Sequence, residues 1–275
     1  MQKTWFITGA SRGFGKEFAR QALGRGDLVA ATARDIRALD DLVEEHGEAV
    51  LPLTLDVTDA EAVTVAVQAA HERFGRLDVV VNNAGYGLFG TVEEISAQQL
   101  RDQLEVNLFG VLHVTQAVLP ILRAQGSGHI VQISTVGGVA AFPNLGGYHA
   151  SKWALEGLSE SLAQEVAPFG IKVTLVEPGG FATDWSGSSA VHADPQPQYD
   201  GVRQAMAEGA RRTPPEMTGD PEAAGRAILT LVDAPEPPLR VFFGTMPTLI
   251  VPGIYQDRLA TWESWKELSL QSNGH

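Results

Sequence analysis

The sequence predicts an α/β protein, a single domain on a doubly wound, mostly parallel seven-stranded sheet with helices on both faces. Seven short apolar runs lie along the 275 residues, and most are near-continuous rather than alternating. Strands buried on both faces read that way. Stretches of helical periodicity separate the runs, and a glycine-rich turn follows the first of them.

The first strand is expected over residues 4–8. Residues 15–24 then place Phe18, Ala22 and Leu23 on one side of a helix. Strands follow at 28–32 and 50–55. Residues 60–74 repeat Val63, Val67, Ala70 and Phe74 at helical spacing, with Thr58-x-x-Glu61 as a capping box. A strand at 79–82, a helix at 97–123, a strand at 130–134, a helix at 148–167 and a strand at 172–177 continue the alternation. Residues 186–215 are rich in Ser, Pro, Gln, Gly and Arg and read as a long loop. Asp220 caps a helix at 221–233 that has proline in its first position, and 239–243 is the seventh strand. Pro247 and Pro252 break the tail before an amphipathic stretch at 254–268. The expected layout is one domain over 1–275, with a core to 185, a loop region at 186–219 and a helix, strand and tail at 220–275.

Composition removes several function classes. Twenty Lys and Arg against 33 Asp and Glu leave a net charge of −13, which argues against nucleic acid or an anionic membrane as partner. With no cysteine there is no disulfide, thiolate metal site or cysteine nucleophile. The seven histidines form no i,i+4 pair and no His-Glu-x-x-His, so no metal site is expected. The start lacks a basic region followed by an apolar one, and no apolar run approaches ~18 residues; a soluble, cytoplasmic protein is expected.

The glycine turn reads Thr8-Gly9-Ala10-Ser11-Arg12-Gly13-Phe14-Gly15-Lys16. A P-loop fails, because Ala10 stands where the first glycine belongs and Glu17 follows Lys16. Gly9-Ala10-Ser11-Arg12-Gly13 matches a nucleophile elbow, yet no earlier strand exists to supply its oxyanion loop. A dinucleotide turn fits the strand-turn-helix context, although the glycine spacing departs from Gly-x-Gly-x-x-Gly.

Further motifs lie downstream: Asn82-Asn83-Ala84-Gly85, Asn107, Ser134-Thr135, Tyr148-His149-Ala150-Ser151-Lys152, and Pro178-Gly179 with Thr183. In this order and spacing the set resembles the short-chain dehydrogenase/reductase family, and it is similar to the 17β-hydroxysteroid dehydrogenase-like branch. The resemblance covers residues 1 to about 185 and implies a Rossmann fold with hydride transfer between a nicotinamide and a carbonyl or alcohol. Tyr148 and Lys152 share a helix face, so the ammonium is expected to lower the phenol pKa. The resemblance implies Tyr148 as acid/base, Lys152 as its partner and ribose ligand, and Asn107 as support for a water. The family's hydroxyl falls thirteen residues before the tyrosine, at Thr135, where Ser is usual. Thr135 is therefore the expected catalytic hydroxyl, with Ser134 lining the cofactor through its backbone. Strand alternation prevents both side chains from facing the substrate.

The expected cofactor is NADP(H). Ala33 holds the position where an acidic residue would bond the ribose hydroxyls, Arg34 follows it, and Arg12 stands in the glycine turn. Asp35 turned inward would instead favour NAD. The remaining expected contacts are Gly9, Ser11, Gly13, Phe14 and Gly15 in the turn, Asp56 and Val57 at the adenine, and Asn83, Ala84 and Gly85. Pro178, Gly179, Phe181 and Thr183 lie toward the nicotinamide. Expected substrate walls are Tyr86, Leu88, Phe89, residues 136–144 and Trp185, largely apolar. His192 and Tyr199 read as surface residues and His149 as structural. The long helices at 97–123 and 148–167 resemble those that pair subunits in this family, implying a homodimer or homotetramer. Two other classes stay open: a serine hydrolase through Ser11, and a non-catalytic NADPH-binding sensor or scaffold.

Overall fold

The computed structural model describes residues 2–274. The elements in chain order are β1 (Thr4–Ile7), α1 (Gly13–Gly24), β2 (Leu28–Ala33), α2 (Asp40–His46), β3 (Val50–Thr54), α3 (Ala60–Phe74), β4 (Val79–Asn82) and β5 (Leu88–Phe89). Then come α4 (Ala97–Leu104), α5 (Gly110–Gln125), β6 (Gly128–Ile133), α6 (Gly146–Val166), β7 (Ile171–Pro178) and β8 (Val191–His192). The chain ends with α7 (Asp200–Arg212), α8 (Pro221–Asp233), β9 (Arg240–Phe243), α9 (Thr245–Ser264) and α10 (Lys266–Gln271).

The main sheet runs β3-β2-β1-β4-β6-β7-β9, and every pairing in it is parallel. Its near-continuous apolar strands bury both faces. Trp5 and Ile7 point into one core with α1 and α8, while Phe6 points into the other with α3, α5 and α6. Val79 and Val81 against Val80 repeat the division on β4. Strand order reverses between β1 and β4, so a crevice opens beyond their carboxyl ends.

Several expectations are corrected. The cap of α3 is Asp59, whose carboxylate accepts from the Glu61 and Ala62 amides at 3.0 and 2.9 Å. Thr58 instead donates its hydroxyl to Asp56 at 2.7 Å, so the capping box does not form. The 97–123 helix is interrupted by a π turn at Glu105–Phe109. Over an 18-residue window, Ala97–Gln125 reaches a mean hydropathy of 1.4, enough by length and composition for a membrane span. Here Val111, Val114, Val118 and Leu122 are buried in the protein core. The 186–215 stretch is no simple loop, since β8 pairs with β5 and α7 follows. No residue of α7 is buried, so no apolar period marks it in sequence. Pro252 does not break the tail but lies inside α9, and Pro247 falls in its first turn, where amides lack intrahelical partners anyway. Asp220 caps α8 as expected.

His129 on β6 is buried with Nε2 2.9 Å from the Thr174 hydroxyl, and burial, then Lys172 and Lys3, pushes its pKa down to about 4. The unfolded chain takes this proton at higher pH than the folded one. The stability contributed by this residue is therefore fully present above about pH 6.5 and is lost as pH falls through about 4. Urea midpoints at pH 7 and pH 4.5 should differ less in His129→Gln than in wild type; an unchanged difference contradicts this.

Candidate active site

The site is built where α6 begins beneath the ends of β6 and β7. Tyr148 and Lys152 lie one turn apart, both almost fully buried, and Lys152 Nζ sits 6.0 Å from the Tyr148 ring centroid. The ammonium donates to the Ile133 carbonyl at 2.8 Å, the last residue of β6. Beyond that residue the chain stays extended through Thr135, and consecutive side chains part. The Ser134 hydroxyl turns away and donates to Glu156 at 2.5 Å. The Thr135 hydroxyl instead donates to the Pro178 carbonyl at 3.5 Å, accepts from the Gly137 amide at 3.2 Å, and is close enough to the Tyr148 phenol to favour its charged form. The geometry thus brings Thr135, not Ser134, to the phenol.

The expected effect of Lys152 on Tyr148 is not met. Burial raises the phenol pKa, and only the Thr135 hydroxyl pulls it down. The ammonium is spent on a backbone carbonyl, and burial pushes its own pKa down to about 8, opposed by the charge of Glu156. Asn107 stands in the π turn, fully buried. Its amide donates to Tyr86 O and to the Ser151 hydroxyl, both at 3.1 Å, and its carbonyl accepts from the Tyr86 amide at 3.2 Å. It lies behind Gly85 rather than on the cleft wall, and a Cβ at Gly85 would meet it at 2.9 Å.

A cleft of about 820 Å³ crosses the ends of β1, β4, β6 and β7. The expected cofactor residues Gly9, Ser11, Arg12, Gly13, Phe14, Arg34, Asp56, Val57, Asn83, Ala84 and Gly85 line it, as do Ser134, Pro178, Gly179, Phe181 and Thr183. Gly15 does not. A Cβ there would lie 2.3 Å from the Gly9 carbonyl oxygen, so Gly15 serves the packing of the turn against α1. Asn83 ties the turn to β4, its side-chain amide donating to Thr8 O and Gly9 O at 2.9 and 3.0 Å.

The residues present fit a dinucleotide phosphate. The amino end of α1 has no side-chain cap and no acidic residue in its first turn, so its amides face the cleft uncompensated. Arg12 reaches across to Asp184 at 3.2 Å. Asp35 does not turn inward; Arg37 binds it through Nε and Nη2 at 3.0 and 2.8 Å. For Asp56, burial raises the carboxyl pKa, but bonds from Thr58 and the charge of Arg34 outweigh it and the net shift is downward. Ser11 has no histidine partner among the described residues, so a nucleophile-elbow reading lacks its base.

The other half of the cleft is apolar. Tyr86, Phe89, Val136, Phe142 and Trp185 line it as expected, and the Trp185 and Tyr148 rings stand 5.0 Å apart. Leu88 instead packs inward against Gly147, and Val139 and Ala140 are buried away from the cleft. Leu145, Val191 and Met246 also line it, contributed by segments that carried no strand or helix signal. His149 lines it too, accepting from the Phe142 amide at 3.3 Å. His192 stacks on Phe89 at 5.0 Å, and the Tyr199 hydroxyl donates to Glu93 at 2.5 Å; neither lines the cleft.

Gly15→Ala should lose about 2 kcal/mol in urea unfolding, because the group it meets is backbone. Gly24→Ala, in open space on the same helix, should be neutral or slightly stabilising. Equal effects at the two positions contradict this account of the turn.

The family model for short chain dehydrogenases matches residues 3–193. The chain is 46% identical to an oxidoreductase of Botryotinia fuckeliana, BOA17, over 99% of this chain and 100% of that one. It is 36% identical to mouse 17-beta-hydroxysteroid dehydrogenase type 1, over 86% of this chain and 72% of that one. A solved short-chain dehydrogenase from Streptomyces avermitilis superposes with a TM-score of 0.90 at 40% identity, covering 98% of each chain. A short chain dehydrogenase from Burkholderia cenocepacia, solved in complex with NADP, does so at 0.76 and 27% identity, covering 96% of this chain and 98% of that one. The chain thus belongs to the short-chain dehydrogenase/reductase family of oxidoreductases.

Proposed function

We propose that the protein is an NADP(H)-dependent oxidoreductase of the carbonyl reductase type, acting on an apolar ketone or aldehyde, or on the matching secondary alcohol. The observation that carries this is the meeting of Tyr148, Lys152 and Thr135 at one point of the cleft, facing the apolar half under Trp185.

When bound, NADPH supplies a hydride. The chain's own residues handle the oxygen. Thr135 and Tyr148 hold the carbonyl oxygen with their hydroxyls. Tyr148 starts protonated, as its burial favours, and gives the phenol proton to that oxygen as the C–H bond forms. The Thr135 hydroxyl, the one group that favours the charged phenol, steadies the phenolate left behind. Lys152 holds ribose hydroxyls, and Asn107 supports a water that reaches Lys152. The reverse direction runs the same proton back.

The uncapped end of α1 and Arg12 serve the phosphates. Arg34 serves the 2′-phosphate, and Asp35, held by Arg37, does not turn toward it. The NADP complex of the Burkholderia relative supports the same cofactor. Asp56 and the Val57 backbone suit the adenine, Thr183 the carboxamide and Phe181 the ring edge. The mouse steroid dehydrogenase supports a bulky apolar substrate. Phe109 and Trp153, about two-fifths exposed on the α4–α5 and α6 helices, suit pairing of identical chains as a homodimer or homotetramer.

A carbonyl panel tests the reading. Efficiency with NADPH should exceed that with NADH by about tenfold or more, and Arg34→Glu should erase the difference. Tyr148→Phe should lose at least about 100-fold in turnover with NADPH binding retained. Equal use of both cofactors contradicts the cofactor assignment, and an active Tyr148→Phe contradicts the chemistry.

A further inference from the structure

Tyr148, Lys152, Glu156 and Glu160 recur every fourth residue and form one stripe along α6. The first three are buried and Glu160 reaches the surface. A charged carboxylate in the core is costly, and an apolar residue would pack there more cheaply. Holding β9 to α6 does not explain it, because Arg240 already reaches Glu160 at 2.7 Å on the surface. Glu156 is instead turned toward the catalytic end.

We propose that Glu156 is a positioning residue for the reaction, its carboxylate fixing the strand end that aims Thr135 and standing one helical turn from Lys152. The proposal rests on the assignment of Tyr148 and Lys152 made above.

The first half is geometric. One Glu156 oxygen accepts from the Ser134 hydroxyl at 2.5 Å and the other from Arg240 Nε at 3.0 Å. A Cβ on Gly138 would meet Ser134 Oγ at 2.6 Å and Glu156 Oε1 at 3.0 Å, so the turn after Thr135 is drawn down onto this pair. The same turn supplies the Gly137 amide to the Thr135 hydroxyl. Glu156 is thus the floor on which the Thr135 hydroxyl is set.

The second half is electrostatic. Burial pushes Lys152 down to about 8, and the charge of Glu156 opposes that. The titratable groups gathered here are Tyr148, Lys152, Glu156 and Glu160 on α6, Glu177 on β7 and Arg240 on β9; Asn107 from the π turn does not titrate. Glu177 is pushed up to about 8 by burial and then by the charge of Glu156. It therefore holds its proton at neutral pH and its Oε1 lacks a hydrogen-bond partner. Burial raises Glu156 as well, but the Ser134 hydroxyl, Arg240 and Lys152 all favour its charged form.

Glu156→Gln keeps the size and the acceptor for Ser134 but removes the charge. Loss of a nearby negative charge lets Lys152 deprotonate at lower pH. The alkaline limb of the kcat profile should therefore move acidward by about one unit, with turnover at pH 8 down about fivefold and KM little changed. NADPH binding, followed by its fluorescence across pH, should weaken at the same lower pH. Ser134→Ala should lower turnover without moving the limb. Glu156→Asp keeps the charge and shortens the reach, so it should do likewise, and it provides the comparison if Glu156→Gln does not fold. An alkaline limb that shifts in Glu156→Asp, or does not shift in Glu156→Gln, overturns the proposal. If Tyr148→Phe is inactive at that point, only this inference falls; an active Tyr148→Phe removes the underlying assignment as well.

Discussion

Ser134 and Thr135 are neighbours in extended chain, so their side chains must point to opposite sides. The site depends on that constraint. One hydroxyl goes down to Glu156 and fastens the strand end, and the other goes up to Tyr148. A one-residue slip would exchange them and leave the phenol facing a tethered serine. The parallel pairing of β6 with β4 and β7, continued by the Ser134 amide on the Val176 carbonyl at 2.8 Å, holds the register.

Most of the fold is readable from the chain because burial on both sheet faces writes itself as unbroken apolar runs. The bounds of β4, α3 and α8 follow from Val79–Asn82, the apolar period in 60–74 and the Asp220–Pro221 cap. What stays hidden has no apolar signature. Helix α7 buries nothing and is held by polar pairs such as Arg203 with Asp200 and Glu94. Asp59 takes the cap of α3 because its carboxylate reaches two amides while Thr58 is occupied by Asp56.

The site shows the same division. Most motif residues align on the cleft because spacing along strands and helices determines where they point, whereas Gly15 and Asn107 pack behind it. Leu145, Val191 and Met246 reach it through tertiary placement that no local pattern encodes. Electrostatics was the least legible part. Four residues' separation on a helix says that Tyr148 and Lys152 are neighbours, but not that a backbone carbonyl takes the ammonium or that burial governs both groups. The net charge of −13 is likewise a poor guide to a cleft whose phosphate end carries Arg12, Arg34 and the free amides of α1.

The central claim is that Thr135 and Tyr148 jointly hold the reacting oxygen. Single-turnover reduction of an apolar ketone by NADPH, compared between Thr135→Ser and Thr135→Ala, tests it most directly. The account predicts that Thr135→Ser keeps most of the rate while Thr135→Ala loses about 100-fold, with NADPH affinity alike in both. A Thr135→Ala enzyme that reduces the ketone as fast as wild type would contradict it.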